Sequence, residues 1–489
     1  MLKVRFFGEN LWVKGYFFCL LCSFSGIFPR FLQAHQPYCT FEAAERQAYC
    51  HLLNLQLSQA RASIYRIPSE NLLRLYLENW AEVLEVAANQ DKVLYANYVQ
   101  KKDQRLQSLK KHLAGSPYQL FLQAEITLQW ALAQIVCGEL WSAAWNVRHA
   151  FGLLEQNYQL FPSFEGTLKS LGVLKILLGV VPAQYKWLLS LWGVSGNLTE
   201  GFDMLQQAAN GTSPFAWEAR LWLFVLHVHL KETVPAISID NHFVGKWIVA
   251  AAFRKAGNSS KALELLKDLP SDAPAWLCWE KATALMYSGS YQEALYWLDL
   301  FEKRHRGADL RKDACLKRFW CLWLLDQHAQ AQSALESIAT LGRLQTEADR
   351  HAAYFATLRP LPDKRLLQAR LFTDGGYLEK SEQVLKSVNW HDLDAMNRSE
   401  FFYRLARNAH RGEQWQKAIF YYHQCLAQAK GASWYFLPNA ALQLGYLYRD
   451  CQKDCQKARF YFQQALQYQH HPYKKSIERK AVLALAQLE

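Results

Sequence analysis

Glycine (23 residues) and proline (14) are both scarce in this 489-residue chain, so few positions suit tight turns or broken elements. Blocks of like charge are missing as well. No run of five or more acids or bases occurs, and no basic stripe is interleaved with aromatics. A charged interaction tail is thereby excluded, and no nucleic-acid partner is expected. The signatures of catalysis are absent too: there is no phosphate-binding glycine loop, no Gly-x-Gly-x-x-Gly after a strand and no His-Glu-x-x-His. Gly193-Val194-Ser195-Gly196-Asn197 misses the nucleophile elbow by one residue and lacks the preceding strand, so it reads as a turn. His227 and His229 stand two apart on a helix and point to different faces. His470-His471 and the His391–Asp394 stretch read as polar links between helices. No catalytic residue, metal or cofactor is expected, and the chain reads as a non-enzyme.

What is present is helix-forming and apolar. Half of the residues are hydrophobic and 14% aromatic, ample for burial and against disorder. Ala, Leu, Gln, Lys, Arg and Glu are abundant, and these favour helix nearly throughout. The length exceeds one hydrophobic core, so several cores or an elongated repeat stack is expected, all-α in class.

The formal charge of +12 is unevenly placed. Residues 1–34 hold Lys3, Arg5, Lys14 and Arg30 against Glu9, which leaves 51 basic and 42 acidic residues, or +9, for the rest. The basic start precedes an apolar run, Gly15–Phe28, and then Leu32-Gln33-Ala34, the pattern of a cleaved export signal. Fourteen residues are too few to span a bilayer comfortably. Export to the periplasm or to an outer-membrane-associated position is the expectation. Nine cysteines lie beyond Ala34, an odd number, mostly among apolar helical residues. They read as small buried hydrophobes, and the Cys451/Cys455 pair lacks both redox and zinc spacing.

Internal periodicity is the strongest signal. Two antiparallel helices can approach closely only where a small side chain sits at their crossing. Ala262, Ala294, Ala331, Ser381, Ala418 and Ala458 fill that role, at intervals of 32, 37, 50, 37 and 40 residues. The period is close to the 34 residues of a tetratricopeptide helical hairpin. Around Ala458 the seam reads Leu444, Gly445, Tyr448, Phe462, Ala465; around Ala418 it reads Phe402, Leu405, Ala406, Ala409, Tyr422, Cys425. The long interval holds an extra helix over Glu347–Leu358 and a proline-rich loop to Asp363. Upstream the repeats weaken. Ala60 marks one hairpin; Ala131, Gly138, Ala143, Val147 and Ala150 mark another; and Asp91–Lys111 is a polar connecting helix. Between Phe161 and Leu205 an apolar hairpin turns through Pro182 and closes at the Gly193–Asn197 turn.

The block from Phe161 to Leu205, with its glycine-rich apolar hairpin ending in Gly-x-Ser-Gly-Asn and C-terminal repeats beyond, resembles the tetratricopeptide repeat domain 39 family and its fungal inclusion-clearance relatives. The mature chain as a whole also resembles exported repeat proteins of Bacteroidota-type bacteria, most closely over the last 120 residues. These resemblances imply an all-α tetratricopeptide-type solenoid with a central apolar helical hairpin. The expected divisions are a signal peptide (1–34), N-terminal hairpins (35–160), the central hairpin (161–235), repeats (236–345) and C-terminal repeats (346–489).

In such a solenoid the first helix of each hairpin faces the groove. The positions predicted to point there are Arg370, Arg407 and Tyr446, with His410 and Arg449 one turn on. A row of guanidinium groups suits a carboxylate or acidic segment. The expected function is therefore a non-catalytic scaffold of the bacterial cell envelope that holds a protein or peptide. The alternative is a peripheral membrane protein that uses the 171–193 hairpin, with Lys186, Trp187 and Trp192 at the interface.

Overall fold

The structure is a computed structural model that describes residues 38–489 apart from 182–188, 190, 191, 214, 232–241, 270–272, 345, 359, 360, 429–433, 472, 487 and 489. The expected signal segment and the Pro182 turn lie outside the described residues. Among those described, every regular element is helical: 23 α-helices, one π-helical turn and one 3-10 turn. The chain divides into two compact units, one of residues 1–252 with 305–307, the other of 253–304 with 308–489.

In the first unit, α1 (Ala43–Leu53) and α2 (Leu57–Tyr65) form a hairpin with Ala60 fully buried at its crossing. After α3 (Leu73–Asn89), the polar α4 (Lys92–Lys111) starts at Asp91, whose carboxylate accepts from the backbone N–H of Val93 and Leu94 at 2.7 and 3.1 Å. The hairpin of α5 (Pro117–Cys137) and α6 (Leu140–Leu160) turns at Gly138, where φ is 88°. That left-handed angle favours glycine at this turn. Helix α5 is long and apolar enough to cross a membrane, but 89% of its most apolar window is buried. It is a core helix of this unit.

Helices α7 (Glu165–Gly179) and α8 (Leu198–Asn210) form the central pair, followed by α9 (Ala216–Leu226) and α10 (Phe243–Lys255), which runs past the end of the unit. Glycine is required where α7 and α8 meet. A Cβ on Gly172 would sit 2.8 Å from the carbonyl oxygen of Gly201, and one on Gly201 would sit 2.7 Å from that of Gly172. Residues Leu171, Val173, Leu174 and Ile176 are buried, so the first arm of the expected apolar hairpin belongs to the core. Lys169 lies there too, fully buried. Its ammonium bonds Glu125 on α5 at 3.1 Å and Glu218 on α9, and lies 5.6 Å over the rings of Phe121 and Phe215. Ser170 donates a further hydrogen bond to Glu125.

The second unit carries α11 (Ser259–Leu265) and then the hairpins α12 (Ala275–Ser288) with α13 (Tyr291–Arg304) and α14 (Arg311–Leu324) with α15 (His328–Thr340). The inserted α16 (Glu347–Phe355) packs on α14. Three more hairpins follow: α17 (Lys364–Gly375) with α18 (Leu378–Lys386), α19 (Ala395–Arg411) with α20 (Trp415–Ala427), and α21 (Phe436–Asp450) with α22 (Cys455–Gln467), before the last helix, α23 (Lys474–Ala486). The six small crossing residues from Ala262 to Ala458 are all buried, five of them at 0% exposure. A Cβ on Gly445 would overlap the Phe462 ring across the α21–α22 seam. Repetition of one steric device at each hairpin is what makes this part a helical-repeat stack.

Candidate binding face of the C-terminal repeats

The first helices of successive hairpins share a face on which charged and aromatic side chains interlock. Arg254 pairs with Glu280 of α12, with Nη2 to Oε2 at 3.2 Å, and its guanidinium lies 5.4 Å from the centre of the Trp279 ring. Trp279 donates through Nε1 to Asp313 of α14 at 2.8 Å, and Lys317 pairs with the same carboxylate 4.7 Å over the same indole.

One step further, Arg370 of α17 is lodged between two rings, 5.2 Å from Trp320 and 5.4 Å from Tyr435. Position follows from the ends of α17. Asp363 caps its start by accepting from the N–H of Arg365 at 2.8 Å, and Gly376, at φ 87°, ends it. A Cβ on Gly375 would meet the Tyr287 Cβ at 2.7 Å, so this helix lies unusually close to α12.

Helix α19 contributes a stripe at helical spacing: Glu400, Arg404, Arg407 and Arg411. Arg404 is buried; it donates through Nε to Glu400 Oε1 at 3.0 Å and through Nη2 to the Tyr435 hydroxyl. Arg407 bonds the Tyr422 hydroxyl, and Arg411 donates to the carbonyl of Thr373 at 2.8 Å. Six cationic side chains (Arg254, Lys317, Arg370, Arg404, Arg407 and Arg411) thus meet four carboxylates, those of Glu280, Asp313, Asp374 and Glu400. His351, from the inserted α16, completes the face, stacked on Tyr473 at 5.2 Å with Tyr435 6.5 Å away. Burial, then Arg370, Lys317 and Arg404, hold its imidazole well below the ordinary histidine range, so the ring is neutral at pH 7.

Of the predicted groove residues, Arg370, Arg407 and His410 fall within this region. Tyr446 and Arg449 form a pair of their own: Arg449 lies 5.2 Å over the Tyr446 ring and donates to Asp450 at 2.6 and 3.0 Å, while Tyr446 packs on Phe462. The adjacent carboxylate takes up the Arg449 guanidinium. Arg404, His351, Tyr435 and Tyr473 were not predicted. The Glu400/Arg404 spacing of four, three residues before Arg407, was a readable signal for the first of them. For the others, no local pattern exists.

His410 is half-buried, with Nδ1 3.2 Å from the Tyr422 hydroxyl. Burial, then Arg407 and Arg411, push it down to about 4. The unfolded chain, titrating near ~6.5, therefore takes up a proton that the folded chain refuses. His410 adds stability above pH ~6.5 that is lost as pH falls toward about 4. Relative to His410→Gln, the parent should lose about 2 kcal/mol of stability between pH 7 and pH 4.5, read from urea unfolding at both pH values.

In the first unit, Lys186 and Trp187 lie outside the described residues. Trp192 stacks on Trp145 (5.8 Å, 24° between planes) and meets Trp141 edge-on at 5.9 Å; both partners are exposed on α6. Arg148 donates to the Trp192 carbonyl at 2.7 Å. Among the described residues no group of three His, Cys, Asp or Glu is placed to hold a metal ion.

The model of the family described as Iml2/Tetratricopeptide repeat protein 39 matches residues 97–346, just over half of the chain. The chain belongs to the Iml2/Tetratricopeptide repeat protein 39 family. The matched stretch takes in the buried Lys169 network and the Gly172–Gly201 crossing, and it ends just before α16. No curated protein matches the chain. Among solved structures, that of the yeast Tom70 is similar at 10% identity and a TM-score of 0.24, covering 91% of this chain and 88% of its own. As a member of a tetratricopeptide-type family, this chain has the architecture of a protein-interaction scaffold.

Proposed function

We propose that the chain is a non-catalytic scaffold of the bacterial cell envelope, exported to the periplasm or held at the outer membrane, that binds a protein or peptide on the first-helix face of its C-terminal repeats. The observation that carries this reading is the charge of that face. Two more cations than carboxylates are held among aromatic rings, which favours an acidic segment over a basic or neutral one.

Photo-crosslinking tests it. A crosslinker at Gln443, half-buried on α21 beyond Asn439, should trap partner adducts, whereas one at the exposed Phe460 on α22 should not. The adducts should vanish in an Arg370→Ala/Arg407→Ala variant of unchanged helicity. Equal adducts from both positions, or adducts that survive the double replacement, discard the reading. The exposed Trp141 and Trp145, with Trp192 stacked on the second and edge-on to the first, favour a second reading, membrane contact. Flotation of the whole chain with anionic liposomes, abolished by Trp141→Ala/Trp145→Ala, would select it; a chain that stays at the bottom of the gradient dismisses it.

A further inference from the structure

Buried arginines ordinarily give their N–H groups to acceptors. Arg404 does so, and Arg411 does so. Arg370 does not: only 14% of its side chain is exposed, its closest carboxylate is Asp374 at 3.7 Å, and among the described residues no acceptor hydrogen-bonds it. Its guanidinium instead lies over the rings of Trp320 and Tyr435, at 5.2 and 5.4 Å. Among the described residues, its five donors, in a fixed fork, have no hydrogen-bond acceptor.

Arg370 lines a recess that opens to solvent. The walls include Leu358, Pro362, Met396 and Trp434, and the polar lining is Arg370, His351, Glu400, Tyr435 and the phenol of Tyr354. Three of these groups are already settled, and Tyr354 is an uncharged phenol. Glu400 is held by Arg404, the Tyr435 hydroxyl accepts from Arg404, and His351 is neutral. Lys317, the other nearby cation, is occupied by Asp313. Among the described residues, Arg370 is therefore the one cation lining this apolar cavity whose guanidinium has no hydrogen-bond acceptor, Asp374 standing 3.7 Å away.

We propose that this recess receives the C-terminal residue of a partner chain, a residue with a large apolar side chain whose free carboxylate is taken by Arg370. An apolar body fits the Leu358, Pro362, Met396 and Trp434 walls, and a carboxylate presents two acceptors to the guanidinium fork. A phosphate would bring a second negative charge toward Glu400, which lines the same recess. This proposal rests on the reading of the first-helix face as the partner surface, and it assigns to α16, the insertion in the repeat array, the role of supplying one wall.

The test uses the full chain and a neutral decapeptide that ends in leucine, made with a free carboxylate and with a C-terminal amide, plus octanoate. Binding is read by calorimetry and by tryptophan fluorescence, since Trp320 and Trp434 border the site. The free acid should bind at least about tenfold more tightly than the amide, the ratio a charge-assisted hydrogen bond supplies. Arg370→Gln should erase that ratio, and Arg370→Lys, which keeps the charge but not the fork, should recover part of it. Met396→Trp, which fills the recess and leaves the arginines in place, should weaken both peptides. Equal affinity for acid and amide, or a ratio that survives Arg370→Gln, overturns the proposal. So does binding of octanoate with no binding of either peptide. If these fail while crosslinking at Gln443 persists, the pocket assignment falls and the scaffold reading stands. If both fail, the face itself is the wrong surface.

Discussion

Replacing Lys169 with Met should cost the first unit about 3–5 kcal/mol of stability, the range seen when one partner is removed from a buried ion network. Lys169, Glu125 and Glu218 are each fully buried. The lysine meets both carboxylates and lies over two phenylalanine rings. Without the ammonium, two carboxylates face each other away from water, and each becomes harder to ionise. The sign of the pH effect follows. Carboxyls whose folded pKa is raised bind more protons folded than unfolded, so the variant loses stability as pH rises through the carboxylate range. The deficit relative to the parent should therefore be smaller at pH 5 than at pH 8. Removing the whole network, with Lys169→Met joined to Glu125→Gln and Glu218→Gln, should recover most of the loss, because no uncompensated charge is left. Urea unfolding at the two pH values reads the parent and both variants. A Lys169→Met protein as stable as the parent at pH 8 would show that the triad holds nothing together.

Gly201→Leu should unfold the central pair. At Gly201 even a Cβ would lie 2.7 Å from the Gly172 carbonyl oxygen and 3.0 Å from the Ile176 backbone nitrogen. Those are main-chain atoms inside a helix, so no rotamer change makes room, and the two helices must separate. The Ile176 side chain, also 2.7 Å away, could yield, at the cost of about 1–3 kcal/mol that overpacking carries, but the backbone atoms beside it cannot, so more is expected. Gly152→Leu, on the exposed face of α6 with nothing within 4 Å of its would-be Cβ, is the matched control. Circular dichroism melting should show a large fall in midpoint for Gly201→Leu and little change for Gly152→Leu. Equal melting of the two would refute the steric reading.

The contrast between these sites and the repeats shows what the sequence could convey. Crossing residues such as Ala418 and Ala458 were legible because a helical hairpin closes within about one repeat, and its steric demand recurs at a fixed interval. The inserted helix was legible because it fills the one long interval in that series, and the helix starting after Asp91 because it is a polar stretch between two apolar hairpins. Lys169 was not. In GTLKSLGVLKILLG it looks like a polar interruption of an apolar run, and its two partners lie 44 and 49 residues away on other helices. The candidate face was legible in half. Helical position placed Arg370 and Arg407, whereas the aromatic clamp on Arg370 comes from Trp320 and Tyr435, on two different hairpins. Arg449 shows the opposite failure, because position cannot say that Asp450 will fold back onto it.

The triad also bears on how the first unit assembles. A lysine with one carboxylate in place is poorly served, and a carboxylate docked without its lysine is worse, so α5, α7 and α9 gain little from meeting in pairs. Stability arrives only when the third helix seats. That makes the three an all-or-none block, whereas hairpins stacked by neighbour contacts can open from the end one at a time. Hydrogen exchange should then show a single shared opening energy across α5, α7 and α9, and a graded series falling away toward α23.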